Sequence, residues 1–204
     1  MQKTLASFAT TLLLAALSSG AQAQNLITNG NFETPAVATN SFSTYVNLGG
    51  YAATLWGSDS TSSTHKIVDV ANNQFMQFGG GDSTYTNFGV TTGGLYNLSF
   101  DYSGSGFWAL YNSGTSSFES TGPLVQFSSA AMTNNTSSLT LDSSGNYKLY
   151  FGAIGAGLPG MTNSLQLDNV SVSAVSPVPE PESYAMLLAG LGVLGFISRR
   201  RSLR

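Results

Sequence analysis

The chain has 204 residues, with ten Asp and Glu against seven Lys and Arg, only 8% charged residues in all, and no cysteine. Without cysteine there is no disulfide staple, no thiolate metal site and no cysteine nucleophile. Residues 24–178 hold eight acids and two bases, a net charge of −6 (two minus eight), which repels phosphate backbones and argues against nucleic-acid binding.

Residues 1–23 have the layout of a secretory signal peptide. Lys3 stands in a short n-region and an apolar h-region runs from Leu5 to about Leu17. Ala21-Gln22-Ala23 then places small residues, Ala21 and Ala23, at the two positions a signal peptidase reads. The spacing predicts a helical signal cleaved after Ala23, with the mature chain beginning at Gln24. A first transmembrane helix is the poorer reading, because the apolar run is short and no stop-transfer charge follows it.

Residues 24–174 suffice for one ordinary domain with a two-layer core. Their patterning has period 2. In the stretch 95–102, Tyr96, Leu98, Phe100 and Tyr102 fall on one face and Asn97, Ser99 and Asp101 on the other. Gly93-Gly94 before this strand and Ser103-Gly104-Ser105-Gly106 after it read as turns. Further strands are predicted at 66–70, 75–78, 107–111, 139–141 and 147–151. Turns such as Gly79-Gly80-Gly81-Asp82 and Ser144-Gly145-Asn146 separate them. No amphipathic helix of useful length occurs in the body. In the last strand the apolar residues are Leu165 and Leu167, then Val170 and Val172, so the parity changes. Either one extra residue near Asp168-Asn169 forms a β-bulge, or one apolar pair faces each side of a buried strand. Several short antiparallel strands without helices predict an all-β fold, a two-sheet antiparallel jelly-roll sandwich.

Residues 175–178 read as a linker, and residues 179–204 as a tail. The motif Val178-Pro179-Glu180-Pro181 spans their junction; the tail continues through an apolar run from Tyr184 to Ile197 and ends in Arg199, Arg200, Arg201 and Arg204. The 14 residues of that run reach only about 21 Å at about 1.5 Å each. Pro181 suits a first helical position, and the 19 residues from there to Arg199 reach about 28 Å. That approaches a thin bilayer core of about 27–30 Å. One transmembrane helix over 182–198 is expected, with the arginines on the cytoplasmic side and the body outside. A Pro-Glu-Pro triplet, one weak apolar helix and a terminal arginine cluster, in that order, resemble the PEP-CTERM sorting domain. The resemblance implies recognition of Val178-Pro179-Glu180-Pro181 by an exosortase, a membrane-embedded cysteine protease, after transient anchoring in the inner membrane. It also implies delivery to the surface or matrix of a Gram-negative bacterium that makes exopolysaccharide, often in biofilms.

Two stretches at opposite ends of the body carry a second resemblance. Asn25-Leu26-Ile27-Thr28-Asn29-Gly30-Asn31-Phe32-Glu33 opens it and Leu165-Gln166-Leu167-Asp168-Asn169-Val170-Ser171-Val172 closes it. This frame is similar to carbohydrate-binding modules of the galactose-binding-domain-like jelly-roll type, and the stretch 94–102 resembles their central strand. The resemblance implies adjacent first and last strands and a structural calcium ion beside them, held by Glu33, Asp168 and backbone carbonyls. An all-oxygen shell of that kind suits a hard cation; otherwise the two acids simply solvate strand ends. Glycan binding needs aromatic platforms near polar loops, for which Tyr51, Trp56, Trp108 and Tyr111 are the candidates, with core packing as the alternative for each.

Catalytic motifs are scarce. His65, the only histidine, lies between Thr64 and Lys66 and reads as a surface residue. No Gly-x-Ser-x-Gly elbow and no HExxH motif occur, and no spacing singles out a carboxylate pair for glycoside hydrolysis. A non-catalytic exported protein of the cell surface or extracellular matrix is expected. Its body is either a glycan (exopolysaccharide) binder or a structural or adhesive element, with a glycoside hydrolase a more remote reading.

Overall fold

The computed structural model of the chain describes residues 23–48, 51, 55–60, 63–119, 125–142, 145–154, 164–175, 187–192, 194 and 199. The chain divides into two units, Ala23–Val175 and the end segments Met1–Gln22 with Ser176–Arg204. Apart from Ala23, the signal segment lies outside the described residues. So do Val178, Pro179, Glu180 and Pro181, and Arg200, Arg201 and Arg204. In the C-terminal segment residues 187–192, 194 and 199 are helical. No helix among the described residues is long and apolar enough to cross a membrane.

The unit Ala23–Val175 is all-β. Among the described residues its ten strands are β1 (Phe42–Val46), β2 (Trp56–Gly57), β3 (Thr64–Val70), β4 (Asn73–Gly79), β5 (Ser83–Gly89), β6 (Gly94–Asn112), β7 (Ser117–Phe118), β8 (Val125–Leu141), β9 (Asn146–Ala153) and β10 (Ser164–Ala174). They pair antiparallel in the order β1-β3-β4-β10-β6-β9-β5-β2, with β7 and β8 also on β6. One edge of β6 is taken by β8 along residues 94–108. The other edge is shared: β10 pairs with residues 96–103 and β9 with residues 106–112. β6 therefore runs in both layers of a sandwich. The first layer is β1-β3-β4-β10 with the N-terminal half of β6, and the second is the C-terminal half of β6 with β9-β5-β2.

This corrects the turn expected at Ser103-Gly104-Ser105-Gly106. The chain changes course there without ending the strand. Gly104 takes φ +103°, and a Cβ on it would run into the Ser164 carbonyl, so only glycine lets the backbones pass this closely. β8 absorbs the change by a register shift, with Tyr102 opposite Thr133 but Gly104 opposite Ser129. A two-residue turn, Ala71-Asn72 with both φ values positive, joins β3 to β4 in the way hairpins favour.

Period-2 alternation sends one face of each strand inward. Leu98, Phe100, Leu110, Leu149, Phe151, Ile67, Met76 and Phe78 fill one core between the layers. The Phe100 ring meets Phe151 edge-on at 5.0 Å, and Trp56 bridges from Phe151 to Phe32. Burying each such side chain contributes about 1.5–3 kcal/mol relative to exposure. Among the described residues the buried apolar side chains all lie between Ile27 and Val172, so the unit carries its own core.

The two ends of the body zip together. Leu26 N donates to Val172 O at 2.8 Å and Val170 N to Gly30 O at 2.9 Å. A Cβ at Gly30 would strike the Val170 carbonyl, which accounts for the glycine in the opening motif. The parity change in β10 is a bulge: the register with β6 shifts between Asp168 and Ser171, and Asn169 takes φ 49°. Leu165, Leu167, Val170 and Val172 thereby all turn inward.

His65 is not a surface residue. Odd positions of β3 face the core, so His65 is fully buried against Phe78, with its Nε2 3.2 Å from the Ser83 carbonyl. Burial holds its pKa below the ordinary 6.5, outweighing the opposing pulls of Asp82 and the Ser83 carbonyl. The unfolded chain therefore takes up this proton at a higher pH than the folded one. The stability tied to the neutral ring is complete above about 6.5 and is lost as pH falls below that value toward the lowered folded one. Urea unfolding of residues 24–175 between pH 7.5 and 5 should show this loss in the wild type. It should be missing from His65→Gln, so that the stability difference between the two proteins narrows or reverses as pH drops. Parallel pH profiles would contradict it.

Candidate functional site

Three of the four aromatics expected as platforms are core residues. Tyr51 is fully buried, edge-on to Tyr45 at 5.0 Å, and its hydroxyl accepts from Asn29 Nδ2 at 3.1 Å. Burial pushes that phenol upward in pKa. Trp56 is 3% exposed, with Nε1 donating to the Asn29 carbonyl, and Trp108 is 4% exposed on the inward parity of β6. These three cannot meet a ligand at the surface. Tyr111, of opposite parity, lies half-buried on the outer face of the second layer.

Around Tyr111 the pleat assembles an aromatic surface. Across β5, β9 and β6 the register sets Tyr85 opposite Tyr150 and Tyr150 opposite Ala109. One row further, Asn87 stands opposite Lys148, Lys148 opposite Tyr111, and Tyr111 opposite Phe118 of β7. On the other side Phe107 lies between Gly152 and Gln126. Neighbouring positions in a row are about 4.8 Å apart and rows about 6.8 Å, so Tyr111, Phe118, Tyr150 and Tyr85 form a continuous strip, with Phe107 one row beyond Tyr150. Tyr85 and Tyr150 have centroids 5.4 Å apart, Phe118 and Tyr150 5.9 Å, and Tyr111 and Phe118 5.2 Å.

Small residues make the strip shallow. A Cβ on Gly57 would fall 2.7 Å from Tyr85 Cζ, and one on Gly152 would collide with the Phe107 ring. The two rings therefore lie down over glycines instead of standing out from the sheet. Phe118 remains 60% exposed. Polar groups border the strip: Lys148 Nζ sits 4.3 Å over the Tyr85 ring, and the Tyr150 hydroxyl donates to Asp59 Oδ2 at 2.8 Å. Burial, followed by the adjoining Asp59 carboxylate, raises the Tyr150 pKa, so the phenol stays protonated and able to donate. Apolar ring faces rimmed by hydroxyl, amide and ammonium groups suit an amphipathic ring ligand that offers C–H faces and hydroxyl edges.

Tyr85, Tyr150, Phe107, Phe118 and Lys148 were not among the residues singled out by sequence. The signal was present in parity: within residues 147–151, Lys148 marks the outward face, and Tyr150 shares it.

The two acids expected to bind calcium lie in one region. Glu33 accepts from the Gln74 backbone N–H at 2.9 Å and from Gln74 Nε2 at 3.1 Å. Asp168, 3% exposed at the bulge, accepts from Asn73 Nδ2 at 3.0 Å and from the Asn169 N–H at 2.7 Å. Both carboxylates thus contact adjacent residues of β4. Burial raises the Asp168 pKa to about 6, with Asp101 and Glu33 adding to the rise and the two hydrogen bonds opposing it. These hydrogen-bond partners are neutral donors, and among the described residues the charges that act on Asp168 are those of two further acids, with no cationic side chain to offset them. A divalent oxygen-seeking cation fits that imbalance, although among the described residues no group of three metal-binding side chains gathers there.

The fold and this face together define a class: an all-β sandwich body with an outward aromatic strip. Residues 177–201 match the model of the PEP-CTERM protein-sorting motif. The chain therefore carries an exosortase sorting signal, which directs export and placement at the surface or outside the cell. No characterised protein matches the chain as a whole in sequence. Among solved structures it is similar to a CBM4 module (15% identity over 72% of this chain and 98% of that one, TM-score 0.46). It is also similar to the CBM22-2 xylan-binding domain of Paenibacillus barcinonensis Xyn10C (9%, 65% and 99%, TM-score 0.44). A third similar structure is a family 16 carbohydrate-binding module (14%, 72% and 99%, TM-score 0.38).

Proposed function

We propose that this protein is an exosortase-processed component of a bacterial surface or extracellular matrix whose body binds polysaccharide on the outer face of its second layer. The observation that carries the reading is the strip of Tyr85, Phe107, Tyr111, Phe118 and Tyr150, which stays outside a core that already holds other aromatic side chains. Large rings on a water-facing sheet are costly unless something covers them, and a pyranose chain covers them while its hydroxyls keep polar partners. A matrix exopolysaccharide is the ligand class that suits a protein delivered outside the cell. Glu33 and Asp168 would hold a structural ion, calcium by the hardness of its ligands, which would supply positive charge between the opening segment and the bulge of β10.

Affinity electrophoresis of residues 24–175 through gels containing neutral or acidic polysaccharides, the host's own included, tests the binding face. Retardation is expected with at least one polysaccharide, and Tyr85→Ala combined with Tyr150→Ala should weaken it about tenfold or more while the thermal melt stays cooperative. No retardation by any polysaccharide favours a purely structural or adhesive role.

For the ion, calcium at about 100-fold its dissociation constant should stabilise the body by about 2.7 kcal/mol. For a domain of this length that is a rise of about 5–10 °C in Tm, reversed by chelator. Asp168→Asn should abolish the response. A Tm indifferent to calcium and chelator rejects the site.

For processing, alanines at Pro179, Glu180 and Pro181 together should leave unprocessed chain, arginines included, in the inner-membrane fraction. Unchanged surface arrival of the triple variant contradicts exosortase recognition there.

A further inference from the structure

β1 ends the first layer, and its outer edge is unpaired among the described residues. Which backbone groups point to that edge follows from the ladder with β3. Asp69 N donates to Ser41 O, Asn47 N donates to Ser63 O, and the register between these two positions is unbroken. Hydrogen-bonded pairs alternate along an antiparallel ladder. Ser43 and Tyr45 therefore bond to β3, while Phe42, Thr44 and Val46 turn both N–H and C=O toward the open edge.

The same three residues carry the outward side chains. Phe42 is 58% exposed and Val46 61%, both far above ordinary burial for a strand. Val70 on β3 extends the apolar surface, and Lys66 lies over the Phe42 ring at 4.9 Å. The strand Phe-Ser-Thr-Tyr-Val contains no charge and no proline, the two devices that most often protect an edge.

We propose that β1 pairs antiparallel with β1 of a second copy of this chain, about a two-fold axis at Thr44. That axis sets Phe42 opposite the partner's Val46, and Thr44 opposite the partner's Thr44. Every pair then joins residues whose N–H and C=O both face the edge, so the bonding parity of the two strands agrees. Other registers that keep this parity shift by two residues and leave part of the strand unpaired. The side chains agree as well: each exposed Phe42 packs on a Val46, the aromatic–β-branched pairing that stabilises cross-strand neighbours. Because the contact is isologous, it closes at two copies. The result is one continuous sheet through both bodies, on the layer opposite the aromatic strip.

Sedimentation equilibrium of residues 24–175, whose core is self-contained, tests this. The wild type should show a concentration-dependent monomer–dimer equilibrium. Thr44→Lys and Thr44→Glu each place like charges face to face on the axis and should weaken association about tenfold or more. Mixing the two variants in equal amounts should restore it, since opposite charges then meet. Thr44→Pro removes only a donor that faces the open edge, so it should abolish dimers and keep the wild-type melting temperature. A wild type that stays monomeric to about 1 mM overturns the proposal. Charge variants that associate as the wild type does, or a mixture that stays monomeric, overturn it equally.

Discussion

The architecture depends on β6 passing from one layer to the other while staying paired with β8 on both sides of the bend. The passage is made at Gly104, where positive φ and the approach of the Ser164 carbonyl leave no room for a side chain. Because β8 follows β6 through the bend, the strand keeps a partner while β10 and β9 separate on its other edge. That separation opens the space that Phe100, Phe127 and Phe151 fill. A chain without cysteine has no covalent means of holding two layers together, so a shared strand and a common apolar core take that role.

Once β6 fixes the parity, the character of both outer faces follows. Even positions of β6 face the core, which leaves Asn97, Ser99, Asp101 and Ser103 outside on the first layer and Phe107, Ala109 and Tyr111 outside on the second. On the first layer Asp101 accepts from Asn134 and Asn169 at 2.8 Å each, a polar surface satisfied by its own amides. On the second layer the Tyr85 and Phe107 rings lie over Gly57 and Gly152, and Phe118 stands exposed beside them. The two faces of one sandwich thus differ in what they still lack. Around Asp101 the first layer has its hydrogen bonds made, and its exposed Phe42 and Val46 lie out at the β1 edge. The second layer carries its rings across the middle of the face, which suits a ligand lying along it.

Strand existence and parity were legible in the sequence wherever alternation was clean, as in residues 95–102; the spacing of four apolar residues around Asp168 raised the bulge as one of two readings, and the register decides for it. The sorting tail was legible because its elements are local and ordered along the chain. The continuity of β6 was not. A Ser-Gly-Ser-Gly stretch has the composition of a turn, and only the pairing of Gly104, Ser105 and Gly106 with Ser129, Ser128 and Phe127 of β8 shows that the strand persists. Trp56 and Trp108 drew notice for their size and their polar loop neighbours, but burial is decided by parity within the strand. His65 was misplaced for the same reason: Thr64 and Lys66 made the stretch look polar, although they share the opposite face of β3 from His65. The aromatic strip is assembled from β5, β6, β7 and β9, and a face gathered from four strands has no linear signature.

The placement of the two surfaces bears on how a weakly binding body could work. An edge contact of five residues buries little and sits at the transient end of protein interfaces, and a shallow strip such as that around Tyr150 encloses little of its ligand. Each is ineffective for dilute protein. Sorting changes the concentration term, because chains gathered on one surface meet one another and the surrounding polymer at far higher effective concentration. The strip and the β1 edge lie on different layers, so the proposed polysaccharide contact would not block the proposed pairing. A paired body presents two strips, and two weak contacts on one polymer dissociate far more slowly than either alone. If the body binds and pairs as proposed, the sorting motif at residues 177–201 becomes part of the binding physics, because it supplies the crowding that two such modest surfaces need.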